Sequence, residues 1–127
     1  MIKGVSFIEK AIDILKALAD KNRINILLLL SKKEMAVCEF IEALKLSQPA
    51  VSHHLKILKQ VKLIRDSREG KMTFYSIDIK KFNECLSHLE DEVFSLIREN
   101  LQTGVSSSVI RLKPDLCEKL KNSYTDV

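Results

Sequence analysis

Long apolar runs are missing from this chain. The longest uninterrupted one, Ile26 to Leu30, is five residues, whereas a membrane-spanning helix needs about 20. The N-terminal stretch offers no secretory apolar core either, because Lys3, Glu9, Lys10 and Asp13 interrupt it. Cysteine is scarce: Cys38, Cys85 and Cys117 are odd in number and widely spaced. That pattern argues against a disulfide framework and for a reducing cytoplasm, with no membrane partner. Three glycines among 127 residues leave no glycine-rich phosphate loop, and no metalloprotease helix or grouped Ser, His and acid stands out. An enzyme is not expected. Cys38 with His53 or His54 could serve as nucleophile and base, but both histidines belong to a segment with a different pattern.

Basic residues are present, and they are concentrated. The chain carries a formal charge of +4 at pH 7, yet positions 45–71 alone hold seven Lys or Arg against two acids, a net +5, so the remainder sums to −1. A basic patch on a nearly neutral remainder is the electrostatic footprint of a polyanion binder.

The same segment has a readable local structure. Ser47 can cap a helix through its hydroxyl, and Pro49 falls in the first turn, where its missing N–H costs little. Val51, Leu55 and Leu58 share one helical face and point to a core, while Gln48, Ser52, Lys56 and Lys59 share the opposite face. An amide, a hydroxyl and amines on one face suit base edges and phosphate oxygens. Any amphipathic helix has a polar face, so the distinction lies in the residues C-terminal to this one. After Gln60 come Val61, Leu63, Ile64 and Arg65, then Asp66-Ser67-Arg68-Glu69-Gly70, then an alternating stretch from Lys71 to Ile77. This predicts a two-stranded hairpin with a glycine-bearing turn. Upstream, Val37, Phe40, Ile41 and Leu44 recur with helical spacing, and a short Lys45-Leu46 connection leads to Ser47. Two helices joined so tightly make a helix-turn-helix, and the hairpin makes it winged.

Two more amphipathic stretches frame this segment. Phe7 to Leu18 puts Ile8, Ala11, Ile12, Leu15 and Leu18 on one face; Asp20 is placed to cap the next helix, where Ile24, Leu27 and Leu28 repeat the pattern. From about Lys80 to Leu101 a long helix carries a stripe of Phe82, Cys85, Leu86, Leu89, Val93, Leu96 and Ile97. A small domain can hardly cover such a stripe, and an uncovered one usually means a partner.

These residues together resemble the ArsR/SmtB family of small, dimeric, winged-helix transcriptional repressors. The resemblance rests on Leu18-Ala19-Asp20 with Asn22-Arg23-Ile24 and the apolar run to Leu30, on Glu34 through Phe40, on LSQPAVSHHLKILK from Leu46 and on REGKMTFYSI from Arg68. It implies a mainly α fold with a small β-hairpin, a winged helix-turn-helix that is dimeric through its terminal helices. It implies a DNA-binding transcriptional regulator acting as a repressor on double-stranded, palindromic operator DNA. By this likeness Gln48, Ser52, His53 and Lys56 face the major groove, while Arg65, Arg68 and Lys71 reach phosphates or the minor groove; Ser47 and Lys59 complete the expected DNA-binding set. Gln48 is the best base reader, since its amide can pair bidentately with adenine. The homodimer interface is expected at Ile8, Ile12, Leu15, Phe82, Leu86, Leu89, Val93 and Leu96.

An effector is a further expectation. Zinc sensors of the family use paired carboxylates and histidines on the last long helix, and here that helix has His88 without a second histidine. The arsenic- and cadmium-sensing branch carries Cys-Val-Cys at the start of the helix before the recognition helix. This chain has Ala36-Val37-Cys38 there, so it keeps one thiol of the two. Arsenic(III), antimony(III) or cadmium(II) would need about three thiolates, hence Cys38, Cys85 and Cys117 as candidate ligands. A thiol-redox response, a repressor without effector and a winged helix used only for protein interaction are the alternatives. A lone Cys is more often a small buried hydrophobe. Adjacent His53 and His54 diverge by about 100° on a helix and do not chelate one ion. Residues 1–101 are expected to form the DNA-binding domain with its dimerisation helices, and 102–127 a tail with a short helix after Pro114.

Overall fold

The computed structural model describes residues 2–103, with side chains from Phe7 onward. The chain divides into two compact units, Met1–Leu96 and Ile97–Val127. In chain order the elements are α1 (Ile2–Leu18), α2 (Lys21–Leu30), β1 (Met35–Ala36), α3 (Val37–Leu44), α4 (Gln48–Gln60), β2 (Ile64–Glu69), β3 (Met72–Ile77) and α5 (Ile79–Leu89). A π-helical turn (Glu90–Phe94) and α6 (Ser95–Gln102) follow. In the second unit the described residues run from 97 to 103 and carry α6 to its end. The expected short helix after Pro114 and Cys117 lie outside the described residues. Among the described residues no helix is long and apolar enough to cross a membrane.

Helix starts follow side-chain chemistry. Asp20 accepts from the Asn22 and Arg23 N–H groups at 2.8 and 3.2 Å, Ser47 from Ala50 at 3.3 Å and Asp78 from Lys81 at 3.2 Å. Each satisfies a donor that the first helical turn leaves free. Ala36 opens α3 with no side-chain acceptor; instead Glu39 reaches back to accept the Ala36 N–H at 3.1 Å.

The core of the first unit gathers Ile14, Ile26, Phe40, Val51, Leu55, Leu58 and Leu63, all but fully buried. Each such side chain contributes about 1.5–3 kcal/mol relative to exposure. Two expected faces are corrected. In α1 the buried line is Ala11, Ile14 and Ala17, while Ile8 and Ile12 stay exposed; in α2 it is Ile26, Leu27 and Leu30, while Ile24 and Leu28 stay exposed. Apolar residues occur on more than one face of each helix, Ile12 and Ile14 in α1 and Ile24 and Ile26 in α2, so residue type alone does not fix which face turns inward.

The hairpin gains a third strand that the sequence pattern did not reveal. β1 pairs antiparallel with β3, Met35 opposite Tyr75 and Ala36 opposite Phe74, and the strand order is β1-β3-β2. Two residues cannot display an alternation, so β1 leaves no periodic signal. The β2–β3 ladder runs unbroken from Ile64–Ile77 to Glu69–Met72. Gly70, with φ 64°, opens the two-residue turn, where a type II′ hairpin takes glycine. The expected long helix is interrupted by the π turn at Glu90–Phe94.

Candidate nucleic-acid interface

Between α3 and α4 the chain turns through Lys45, whose left-handed φ of 55° ends α3 and whose N–H donates to Ile41 at 3.0 Å. Helix α4 then lies with Val51, Leu55 and Leu58 in the core and Gln48, Ser52, His53, Lys56 and Lys59 exposed. The division anticipated from spacing is the one observed. The end of α4 is a Schellman closure: Leu63 N–H donates to Leu58 at 3.1 Å and Lys62 N–H to Lys59 at 3.0 Å. Lys62 takes the left-handed position, φ 66°, and Leu58 and Leu63 are both completely buried. This closure directs the chain from α4 into the wing.

Charges on this surface are not equivalent. Lys59 Nζ sits 2.9 Å from the Asp66 carboxylate, which ties the end of α4 to β2. That ammonium, through its hydrogen bond, holds Asp66 below the usual carboxylate range. Strand alternation separates the two wing arginines. Arg68 shares the face of Asp66, toward α4, whereas Arg65 shares the opposite face with its partner Ser76, to whose hydroxyl its Nε donates at 3.4 Å. Arg65 also lines a groove with Leu30, Lys33 and Ile79, at the end of α2. Lys71 is exposed at the hairpin tip. The structure thus brings Gln48, Ser52, His53 and Lys56 onto one exposed surface of α4, and it leaves Arg65 on the far face of the sheet.

His54 behaves differently from its neighbour. It is turned inward, 12% exposed, with Nδ1 at 3.2 Å from the Arg23 guanidinium and 4.0 Å from Asp20. Spacing places it beside the core face of α4; nothing in the sequence pairs it with Arg23, 31 positions away.

Of the candidate effector thiols, Cys38 and Cys85 lie in different surroundings. Cys38 is exposed on α3, in the wall of an open, mainly apolar groove of about 590 Å³ that it shares with Leu29, Met35, Glu39 and Ala43. Lys33, hydrogen-bonded to Glu39 at 2.9 Å, holds that carboxyl below its usual range, with help from the Ala36 N–H. Cys85 is buried on α5, and its thiol donates to the Val61 carbonyl at 3.4 Å; burial pushes it above the ordinary thiol value. Among the described residues no group of three or more His, Cys, Asp or Glu is placed to hold a metal ion. His88 donates from Nε2 to the Phe7 carbonyl at 2.8 Å and packs against the Phe7 ring, tying α5 to α1.

Comparison with known proteins adds the lineage. Residues 20–66, which run from the α2 cap to the start of the wing, match the family described as bacterial regulatory protein, arsR family. An uncharacterized HTH-type transcriptional regulator of Methanocaldococcus jannaschii is 39% identical over 84 residues, covering 65% of this chain and 94% of that protein. An arsenical resistance operon repressor of Staphylococcus aureus is 34% identical over 76 residues, 60% of this chain and 73% of the other. Among solved structures, NolR of Sinorhizobium fredii superposes with a TM-score of 0.56 at 33% identity, over 67% of this chain and 85% of its own. A capped helix-turn-helix running into a basic wing, matched along nearly the whole length of a transcriptional regulator, places this chain in the arsR family of bacterial regulatory proteins.

Proposed function

We propose that the protein is a cytoplasmic transcriptional repressor, not an enzyme, that reads double-stranded DNA with α4. Gln48, Ser52 and His53 face base edges, and Ser47, Lys56, Lys59, Arg68 and Lys71 face phosphates. The observation that carries this reading is the exposed polar face of a capped α4, set beside a wing with cations at Arg68 and Lys71. Arg65, on the other face of the sheet, contributes to the general field and not to a contact beside α4. Lys59 engages a phosphate by exchanging its Asp66 partner for it.

The protein acts as a homodimer on a palindromic operator. Ile8 and Ile12 of α1, Leu86 of α5, Phe94 of the π turn and Leu96 are exposed apolar side chains of the first unit. Their burial against a second copy would present two α4 helices to half-sites about 34 Å apart. Leu89 lies in the chain's own core, and Leu15, Phe82 and Val93 are packed on it. They support that face from beneath.

Release by an effector acting on cysteine is part of the same reading, supported by the resistance repressor among the relatives and by the exposure of Cys38. Cys38 and Cys85 are two thiols in different surroundings, so an ion that needs three thiolates would draw on Cys117, outside the described residues, or on a second copy. Direct thiol chemistry at the exposed Cys38 is the alternative.

The test is a set of duplexes enriched from a random-sequence pool, titrated by anisotropy at several salt concentrations. Gln48→Ala should relax preference at one base pair by about 1–3 kcal/mol, whereas Lys71→Ala should weaken all duplexes alike and reduce the salt slope by about one. Failure to enrich any duplex would favour a winged helix that binds protein.

A further inference from the structure

Arg23 sits where three helices meet. Its Nε donates to the Ala17 carbonyl at 2.6 Å and its Nη2 to the Lys16 carbonyl at 3.1 Å, acceptors in the last turn of α1, where Lys16 also takes a long bond of 3.4 Å from the Ala19 N–H. Its remaining Nη1 faces His54 Nδ1 at 3.2 Å, with the Asp20 carboxylate 3.9 Å away. Arginine has no acceptor and does not lose its charge, so this contact is a hydrogen bond only when Nδ1 accepts, in neutral His54 with its proton on Nε2. One guanidinium therefore closes α1, starts from α2 and holds α4 by a polar bond, at side chains 13% and 12% exposed.

We propose that Arg23 and His54 are positioning residues for DNA recognition: they fix α4 on the α1–α2 corner through a bond that only neutral His54 can accept, so DNA affinity falls on acidification. The inference rests on α4 being the DNA-reading helix.

A proton on Nδ1 would set a donor against a donor and a second positive charge against Arg23. Other groups act on the same imidazole. Asp20 favours its charged form; Arg23 and, from α4 itself, His53 oppose it. From α1, Asp13 and Lys16 line the cleft beside Arg23. Burial is the largest influence and holds His54 below its ordinary 6.5. Because the folded-state value is the lower one, this contribution is complete above the ordinary value and is lost as pH falls through the folded one.

Two measurements test the proposal. In DNA-free protein, the titration of the His54 ring protons by NMR should move to higher pH in Arg23→Gln, since the opposing charge is gone and Asp20 remains; an unmoved or lowered midpoint would overturn it. Anisotropy against a duplex enriched by the wild-type protein should then show affinity falling as pH drops from about 7.5 to below the ordinary histidine value, followed down to the lowest pH at which circular dichroism still shows the fold. In His54→Gln, whose amide oxygen can accept from Arg23 and does not titrate, the loss over the same range should be at least about threefold smaller. His53 is common to both proteins, so its own titration drops out of the comparison. Parallel losses would sink the idea, as would a wild-type affinity that does not change. If His54→Gln does not fold, as judged by circular dichroism, the Arg23→Gln titration decides. If no duplex is enriched, the DNA reading of α4 fails while the imidazole titration still decides the coupling.

Discussion

Lys62 occupies a backbone position that suits glycine better. With φ 66° it closes α4 from the left-handed region, where an L side chain costs about 1–2 kcal/mol. Replacing it by glycine removes that strain but loosens the unfolded chain, so Lys62→Gly should stabilise the fold by about 0.5–1 kcal/mol. Urea unfolding would show it as a higher midpoint at unchanged slope; a lower midpoint would mean that the side chain itself contributes more than its strain. Residue chemistry at helix starts was legible beforehand: Asp20 and Ser47 cap as their type and place imply. Lys62 was not, because the signal for a left-handed residue is Gly or Asn, and neither stands there. The Arg23–His54 bond was equally hidden, since a pair 31 positions apart is made by packing and leaves no local pattern.

At the scale of elements, those with strong alternation or clear capping were readable, and those defined by their partners were not. The wing was legible from its alternation and from Gly70, and α4 from its cap and its one apolar face. Strand β1 exists because β3 offers it an edge. The faces of α1 and α2 needed the rest of the core to select them: Ile14 and Ile26 are buried, Ile12 and Leu28 exposed, with nothing in their chemistry to choose between them. The turn supports a direct test. A Cβ on Gly70 would meet nothing within 4 Å, so the cost of Gly70→Ala is the backbone strain of a side chain at φ 64°, about 1–3 kcal/mol. Thermal unfolding measures it; an unchanged midpoint would mean that the turn relaxes to a conformation open to any residue.

At the scale of the whole molecule, the proposed second copy can be addressed without touching the DNA surface. Ile12 and Leu86 are 42% and 44% exposed, so a charge there should leave the single chain folded and abolish pairing. Sedimentation of Ile12→Glu and Leu86→Glu at micromolar concentration should give monomers, with duplex affinity lowered by at least about a hundredfold because two linked half-sites become one. A wild-type protein that is itself monomeric would remove the dimer from the reading. The candidate surface was legible as a set of residues; its geometry was not. Sequence placed Arg65 and Arg68 together as wing cations, and the strand put them on opposite faces.

Strand β1 bears on how the molecule comes apart. Met35 and Ala36 are the edge of the wing's sheet, and Ala36 is also the residue from which α3 begins, held there by Glu39. Peeling β1 from β3 therefore unravels the first turn of α3, and fraying that turn releases the sheet edge. The two belong to one cooperative opening, so protection against amide exchange should rise and fall together across them, while the hairpin tip beyond can breathe alone.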